Sequence, residues 1–215
     1  MGCLLDSGPN PLFRSALSSA DSHKCLVLGA GSEVGLVSGF CDYIVGVNVS
    51  REELQRIKRF NANLILADGQ RLPIKNSCVD LVVCKSTLHH LSDLSYSVLE
   101  LKRVTSIGAH VFLYEPGVLN FIAFLGRKLF PTNIHDPSER PFNPFNLRKV
   151  VAQHFEVINE TDFFLFVHII PLLEKNLNVS HHPRLLRGLS SFDALLCRTF
   201  LKNFSWIIVF TLRKK

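Results

Sequence analysis

Long uninterrupted apolar runs are missing from this sequence, although 47% of its 215 residues are hydrophobic. The longest run, residues 163–173, has 11 residues and contains His168 and Pro171. A helix that spans a membrane needs about 20 consecutive apolar residues, so no such span is expected. The first ten residues also lack a basic segment followed by an apolar one. We therefore expect no secretory signal and a cytoplasmic protein.

Paired cysteines of the Cys-x-x-Cys type are absent, although the chain has six cysteines. Zinc sites in small domains commonly use such pairs, so we expect no metal site. Several of the cysteines, among them Cys25 and Cys84, stand in apolar runs typical of strands. This placement predicts reduced, buried thiols of the kind found in the cytosol.

Charged residues are scarce, at 20% of the chain, and they are unevenly distributed. Residues 1–120 contain 11 basic and 11 acidic side chains, whereas residues 121–215 contain 13 basic and 7 acidic ones. The whole net charge of +6 therefore lies in the second segment. Two interpretations stand: a solvated basic face, or attraction to an anionic substrate or to a membrane surface that the protein contacts peripherally.

Short apolar runs alternate with helical patterns along the chain, which is typical of βαβ units and a parallel α/β sheet. The predicted strands are residues 25–28, 43–47, 64–67, 79–84, 110–114, 157–166 and 206–212. With its high hydrophobic content, a chain of this length suits a single domain. We divide it into an N-terminal arm at 1–22, a cofactor-binding core at 24–117, and a substrate-side cap with the last strands at 118–215.

Capping residues and helical spacing predict three of the helices between these strands. A capping box formed by Ser50 and Glu53 opens the first, which runs to about Phe60. The second covers residues 94–104, with Gly108 in the turn that follows it. The third opens at Asn143-Pro144.

The first predicted strand runs directly into Gly29-Ala30-Gly31, where the next helical pattern opens. Glycines at such a turn let the backbone approach a nucleotide closely. Asn48 ends the second strand, at a position from which an acidic residue usually binds ribose hydroxyls; an amide accepts one hydrogen bond and donates another. Both features also have plainer interpretations, namely an ordinary strand-to-helix turn and a polar strand end.

Four further segments follow in a characteristic order. They are residues 67–74 (ADGQRLPI), 78–84 (CVDLVVC), 86–93 (STLHHLSD) and 99–104 (LELKRV), and a later strand ends at Glu115-Pro116. In this order and spacing, residues 24–117 resemble the class I methyltransferases that use S-adenosylmethionine, in the family that includes quinone C-methylating and many small-molecule enzymes. The resemblance implies a doubly wound, Rossmann-like sheet of seven strands in the order 3-2-1-4-5-7-6, with an antiparallel last strand and helices on both faces.

The resemblance also implies a binding site for S-adenosylmethionine. Its residues would be Leu28, Gly29, Ala30, Gly31, Asn48, Val49, Asp68, Gly69, Lys85 and Ser86. Gly29 and Gly31 would border the methionine part of the cofactor, and Asp68 would accept a hydrogen bond from the adenine amino group. Lys85 and Ser86 would lie near the sulfonium and the incoming nucleophile.

Three residues depart from the family pattern. Val27 stands where an acidic residue is usual, Glu33 replaces a third glycine, and Asn48 replaces an aspartate or glutamate. Each lost carboxylate removes a charge-assisted hydrogen bond of roughly 1.5–3 kcal/mol unless another group compensates. We hypothesise that Glu33 supplies a carboxylate near the ammonium group of the cofactor.

Methyl transfer from a sulfonium is an in-line displacement, which needs a general base only when the acceptor starts protonated. His89, His90 and Glu115 are the catalytic candidates near the strand ends. Each has a structural alternative: the histidines could cap or pack the turn, and Glu115 could bond neighbouring backbone. His135 and Arg140 are candidates for contacting an anionic substrate.

We expect methyl transfer to a small molecule, and the phenylalanines at 163–166 beside excess basic charge favour an acceptor with an apolar tail and an acidic head. One alternative is a methyltransferase-like binding protein without turnover. Another is an NAD(P)-dependent oxidoreductase, but the chain has three tyrosines and no Tyr-x-x-x-Lys pair. No nucleic-acid partner is expected, because the basic residues are interleaved with phenylalanines typical of a core.

Overall fold

A computed structural model describes residues 24–121, 124–125, 142–163 and 183–215. The predicted arm at 1–22 lies outside the described residues, as do residues 164–166 of the predicted sixth strand. Within the described part, no helix combines the length and apolar character that a membrane span requires.

Seven strands form one sheet. They are β1 (Lys24–Leu28), β2 (Tyr43–Asn48), β3 (Asn63–Leu66), β4 (Val79–Lys85), β5 (Thr105–Pro116), β6 (Glu156–Phe163) and β7 (Ile207–Arg213). Their order is β3-β2-β1-β4-β5-β7-β6. Strands β1 to β5 pair in parallel, whereas β7 runs antiparallel between β5 and β6. The predicted strand order and the antiparallel last strand are confirmed.

Helices cover both faces of this sheet. They are α1 (Glu33–Val37), α2 (Arg51–Arg56), α3 (Leu94–Val104), α4 (Pro144–His154) and α5 (Pro183–Leu196), with short 3₁₀ turns at Leu88–His90 and Phe200–Phe204. Helices α3 and α4 bury Leu101 and Leu147 in the core on one face, while α1 and α2 bury Val34 and Leu54 on the other. Double coverage explains why β1 and β4 are almost continuously apolar.

The helix predicted from Ser50 to about Phe60 ends early, at Arg56. Ser50 caps it by accepting a hydrogen bond from the Glu53 N–H at 3.3 Å. The second half of the predicted capping box is absent, since the Ser50 N–H donates to Asn48 Oδ1 at 2.9 Å and the Glu53 carboxylate pairs with Arg56. Phe60 then packs against α1 so closely that a Cβ on Gly35 would lie 2.6 Å from its ring. The turn that follows the helix thus places Phe60 against α1.

Gly108 belongs to β5 rather than to a turn after α3. The strand begins at Thr105, directly after the helix, and Gly108 adopts the left-handed conformation within it at a φ of +77°. Its N–H donates to the Lys214 carbonyl at 2.9 Å, beyond the end of β7. The predicted turn is therefore wrong, because pairing with the C-terminal segment extends the strand backward.

Candidate functional site

A cavity of about 480 Å³ opens at the carboxyl ends of β1 to β4. Seven of the ten predicted cofactor residues line it, namely Leu28, Gly29, Asn48, Val49, Asp68, Gly69 and Ser86. His90, a catalytic candidate, also lines it. The lining that sequence reasoning missed comprises Val47, Ala67, Gln70, Thr87, Leu91 and Ser92. Ligands in open parallel sheets bind at this edge, outside the strand ends.

The turn after β1 requires glycine for two independent reasons. Gly29 has a φ of +71°, which L-residues with a side chain rarely adopt. A Cβ at this position would also lie 1.9 Å from the Thr87 hydroxyl oxygen. That hydroxyl is within hydrogen-bond distance of the carbonyls of Leu28 (3.2 Å) and Lys85 (2.9 Å), so it links the ends of β1 and β4. The backbone of Gly29 is thereby held at the cavity wall.

Asn48 is oriented by two hydrogen bonds within the protein. Its Nδ2 donates to the Ala30 carbonyl at 3.1 Å, and its Oδ1 accepts from the Ser50 N–H at 2.9 Å. A carboxylate here would place negative charge against the Ala30 carbonyl oxygen. The amide therefore suits this loop, and it keeps one N–H and one lone pair for a ligand.

Asp68 and Gly69 form the wall beyond β3. Asp68 Oδ1 accepts from the Gln70 N–H at 2.9 Å, and Oδ2 makes no hydrogen bond to any residue that the structure describes. Gly69 is buried, and a Cβ there would meet the side chains of Leu28 and Leu91 at 3.1 Å. This wall offers an apolar floor with a carboxylate oxygen at its rim.

Glu115 and His89 lie behind the cavity rather than in it. Glu115 is 0% exposed, and its Oε1 accepts from the N–H groups of Thr87 (3.0 Å) and Leu88 (2.9 Å). Its Oε2 lies 2.8 Å from His89 Nδ1. Burial and the nearby Glu115 charge raise the pKa of the Cys84 thiol well above its usual value. This geometry favours the structural alternative for both residues: Glu115 organises the turn after β4.

His90 and Ser86 complete the side of the cavity next to this turn. His90 stacks on His89, with 4.1 Å between ring centroids. Ser86 has a φ of +50°, so the chain turns sharply as it leaves β4. Of the three catalytic candidates, His90 alone lines the cavity as described.

The other three predicted cofactor residues, Lys85, Ala30 and Gly31, do not line the cavity. Lys85 instead extends toward α1, where its Nζ lies 2.8 Å from Glu33 Oε1 and 5.8 Å from the ring centre of Tyr114. Burial raises the pKa of Tyr114 to about 12, so the ring stays neutral beside the ammonium. The two predicted substrate contacts, His135 and Arg140, fall outside the described residues.

Residues 26–113 match a family model described as a methyltransferase domain. The matched segment covers about two fifths of the chain. Every described wall of the cavity belongs to it, since the lining residues run from Leu28 to Ser92. No curated protein sequence shows significant similarity to the chain.

Solved structures have the same fold over nearly the whole chain. The N-methyltransferase NodS from Bradyrhizobium japonicum, solved with S-adenosyl-L-homocysteine, is 12% identical over 98% of this chain and 90% of its own, with a TM-score of 0.62. A structure of the Haloferax volcanii Trm112 methyltransferase activator with a putative methyltransferase is 13% identical over 98% of this chain and 93% of its own, with a TM-score of 0.64. The [4+2]-cyclase SpnF is 16% identical over 95% of this chain and 79% of its own, with a TM-score of 0.66. The chain thus has the Rossmann-like class I methyltransferase fold.

Proposed function

We propose that this protein transfers a methyl group from S-adenosylmethionine to a small-molecule acceptor. The carrying observation is the cavity of about 480 Å³ at the strand ends of the methyltransferase domain. Its volume lies within the roughly 300–1,000 Å³ typical of small-molecule sites. A glycine backbone at one side and a carboxylate at the other give it the polar groups that orient a ligand.

The residues present fit an adenosine-containing cofactor. Asp68 Oδ2 is available to accept from an exocyclic amine, and Val49, 68% exposed at the cavity wall, offers an apolar surface to a planar base. Asn48 retains one donor and one acceptor for ribose hydroxyls. Gly29 lets the backbone approach without a side chain between.

When bound, the cofactor supplies a methyl group activated by a sulfonium. The protein's task is then to hold the acceptor in line and to exclude water. Ser86 and His90 line the side of the cavity at the end of β4, and His90 is the candidate base for an acceptor that starts protonated. Glu115 and His89 act through the turn that carries these residues.

For the acceptor, we propose a molecule with an apolar tail and an acidic head, bound by residues 118–215 acting as a cap over the core at 24–117. Apolar side chains are exposed directly after β5, with Val118 at 43% and Phe121 at 68%. The excess of basic residues lies in the same part of the sequence. These features also support peripheral contact with an anionic membrane surface from the cytoplasmic side.

Calorimetric titration with S-adenosylmethionine and S-adenosylhomocysteine tests the proposal at its first step. We expect saturable one-to-one binding, followed by a gain of one methyl group, detected by mass spectrometry, on acceptors of this class. Absence of binding at millimolar concentrations of the cofactor would contradict the proposed methyltransferase activity. Thermal stabilisation by NAD(P)H but not by S-adenosylhomocysteine would instead support an oxidoreductase.

A second candidate is a cofactor-binding protein without methyl transfer. Val27, where an acidic residue is usual in the family, is apolar and 1% exposed, so no carboxylate lies at that point of β1. Cofactor binding without methyl transfer to any acceptor offered would favour this candidate.

A further inference from the structure

An ion pair joins the two chain segments that flank the Gly29 end of the cavity. Glu33 is the first residue of α1, two residues after Gly31, and Lys85 is the last residue of β4, directly before Ser86. Their charged groups lie 2.8 Å apart, between Oε1 and Nζ. The other oxygen of Glu33 folds over the glycine turn, 3.0 Å from where a Cβ of Gly31 would stand.

This pair retains unused hydrogen-bonding capacity. Among the described residues, Glu33 Oε2 has no hydrogen-bond partner, and the Lys85 ammonium bonds only to Glu33. The Glu33 side chain is 13% exposed and that of Lys85 is 37% exposed. A partly exposed pair typically contributes only about 0–1 kcal/mol to stability, so folding gains little from this arrangement.

The position of the pair along the sheet separates it from the other charge at the cavity. Asp68 follows β3, and Lys85 ends β4, three strands away in the order β3-β2-β1-β4. Strands lie about 4.8 Å apart, so the two charged ends are roughly 14 Å from each other. A lone carboxylate thus lies at one end of this row of strand ends, and a carboxylate with an ammonium lies at the other, next in sequence to the lining residue Ser86.

An α-amino acid carries a carboxylate and an ammonium on the same carbon, and adjacent opposite charges are its complement. On the basis of the proposed function, we infer that Lys85 and Glu33 together recognise the amino-acid end of the cofactor. Lys85 binds its carboxylate and Glu33 its ammonium. The pair thus supplies the charged contacts that Val27 cannot make.

Two ligands isolate this contribution. S-adenosylhomocysteine contains the amino-acid group, whereas 5′-methylthioadenosine has the adenosine and the sulfur without it. We expect the unmodified protein to bind S-adenosylhomocysteine at least about tenfold more tightly in calorimetry, which corresponds to about 1.4 kcal/mol. Equal dissociation constants for the two ligands would overturn the inference without any variant being made.

Substitutions then assign the difference to the pair. Glu33→Gln and Lys85→Met should each weaken the binding of S-adenosylhomocysteine about tenfold, while the affinity for 5′-methylthioadenosine should change less than twofold. The matched control is Glu156→Gln, which breaks an ion pair with Arg213 of 2.7 Å on the far edge of the sheet and should alter neither affinity.

The outcomes separate the inference from the function on which it rests. Equal weakening of both ligands in the Glu33 and Lys85 variants would mean that the pair only supports the glycine turn, and the inference would fail. Failure of the unmodified protein to bind either ligand would contradict the proposed function itself. Thermal unfolding of each variant identifies any that does not fold, and the other of the two variants, Glu33→Gln or Lys85→Met, then decides.

Discussion

Two buried carboxylates flank the same strand residue and have opposite surroundings. Glu115 on β5 and Asp162 on β6 are both cross-strand partners of Ile208 on β7, and they are 0% and 3% exposed. Glu115 accepts hydrogen bonds from two backbone N–H groups and pairs with His89. Neither oxygen of Asp162 has a hydrogen-bond partner among the described residues.

The nearest cation to Asp162 is engaged elsewhere. Arg148 Nη2 lies 3.6 Å from Asp162 Oδ2, but Arg148 Nε donates to Glu160 at 2.6 Å, and Lys202 also faces Glu160 at 3.4 Å. A buried carboxylate with such weak compensation is costly to ionise. In the half of the sheet next to the cavity, the buried acid Glu115 therefore organises the turn after β4, whereas burial in the C-terminal half disfavours the charged form of Asp162.

Removal of the Glu115 carboxylate should cause the largest loss in the free energy of unfolding. Glu115→Ala leaves two buried N–H groups and His89 without their acceptor, and we expect a loss of about 3–5 kcal/mol in the free energy of unfolding. Urea denaturation measures it, with the exposed Glu156→Gln as a control expected to stay within about 0.5 kcal/mol. A loss below about 1 kcal/mol would show that other contacts hold the turn after β4.

The turn at Gly29 packs against Thr87, whose N–H donates to Glu115, and substitution of Gly29 should have the next largest effect. Gly29→Ala combines a left-handed backbone with a clash against Thr87, so we expect a loss of about 2–4 kcal/mol and at least tenfold weaker S-adenosylhomocysteine binding. Gly108→Ala has the same backbone problem in open space and should cost about 1 kcal/mol with binding unchanged. Gly39→Ala has neither problem and serves as the neutral control. Equal losses at Gly29 and Gly108 would show that Thr87 exerts no steric effect.

Asn48 tests the same half of the sheet more gently. Asn48→Asp replaces the amide N–H that donates to the Ala30 carbonyl with an acceptor, which should lower the free energy of unfolding by about 2 kcal/mol at pH 7.5. A protonated aspartic acid again donates, so the loss should shrink as the pH falls toward 4. Thermal unfolding at both pH values measures the difference, and a pH-independent loss would contradict the electrostatic explanation.

The strands and the cavity edge were predictable because they follow from local patterns. Apolar runs identified β1 and β4, and Gly29 signalled a turn at the carboxyl end of β1. The capping preference of Asn143 before Pro144 located the start of α4, where the Asn143 side chain accepts from the Phe145 N–H at 3.0 Å.

What was missed depends on contacts between distant parts of the chain. The Thr87 hydroxyl contacts the carbonyl of Leu28, which lies 59 residues away in the sequence. The only local sign of this contact is Gly29, which leaves room for the Thr87 side chain. The pairing of His89 with Glu115 spans 26 residues. Sequence reasoning named both as catalytic candidates, since histidine and glutamate types do not reveal whether they face a cavity or each other.

At pH 8, substitution of Asp162 gives the smallest expected change in the free energy of unfolding, but its pH dependence gives the clearest contrast with Glu115. Burial raises its pKa to about 7, from an ordinary value of 3.8. The folded protein thus holds this proton more tightly than the unfolded chain does, and the free energy of unfolding should fall as the pH rises from about 4 to 7. The substitution Asp162→Asn removes this fall in the free energy of unfolding with pH, because an amide does not ionise. We expect the variant to be less stable than the unmodified protein near pH 4, because burying an amide costs free energy at every pH, and to become about 1 kcal/mol more stable at pH 8, where the unmodified protein has lost the stability linked to its proton. Denaturant titrations across this pH range measure both curves, with Glu156→Gln again as the control. Parallel curves for the variant and the unmodified protein would mean that Asp162 ionises as readily as an exposed acid, and the contrast between the two halves of the sheet would disappear.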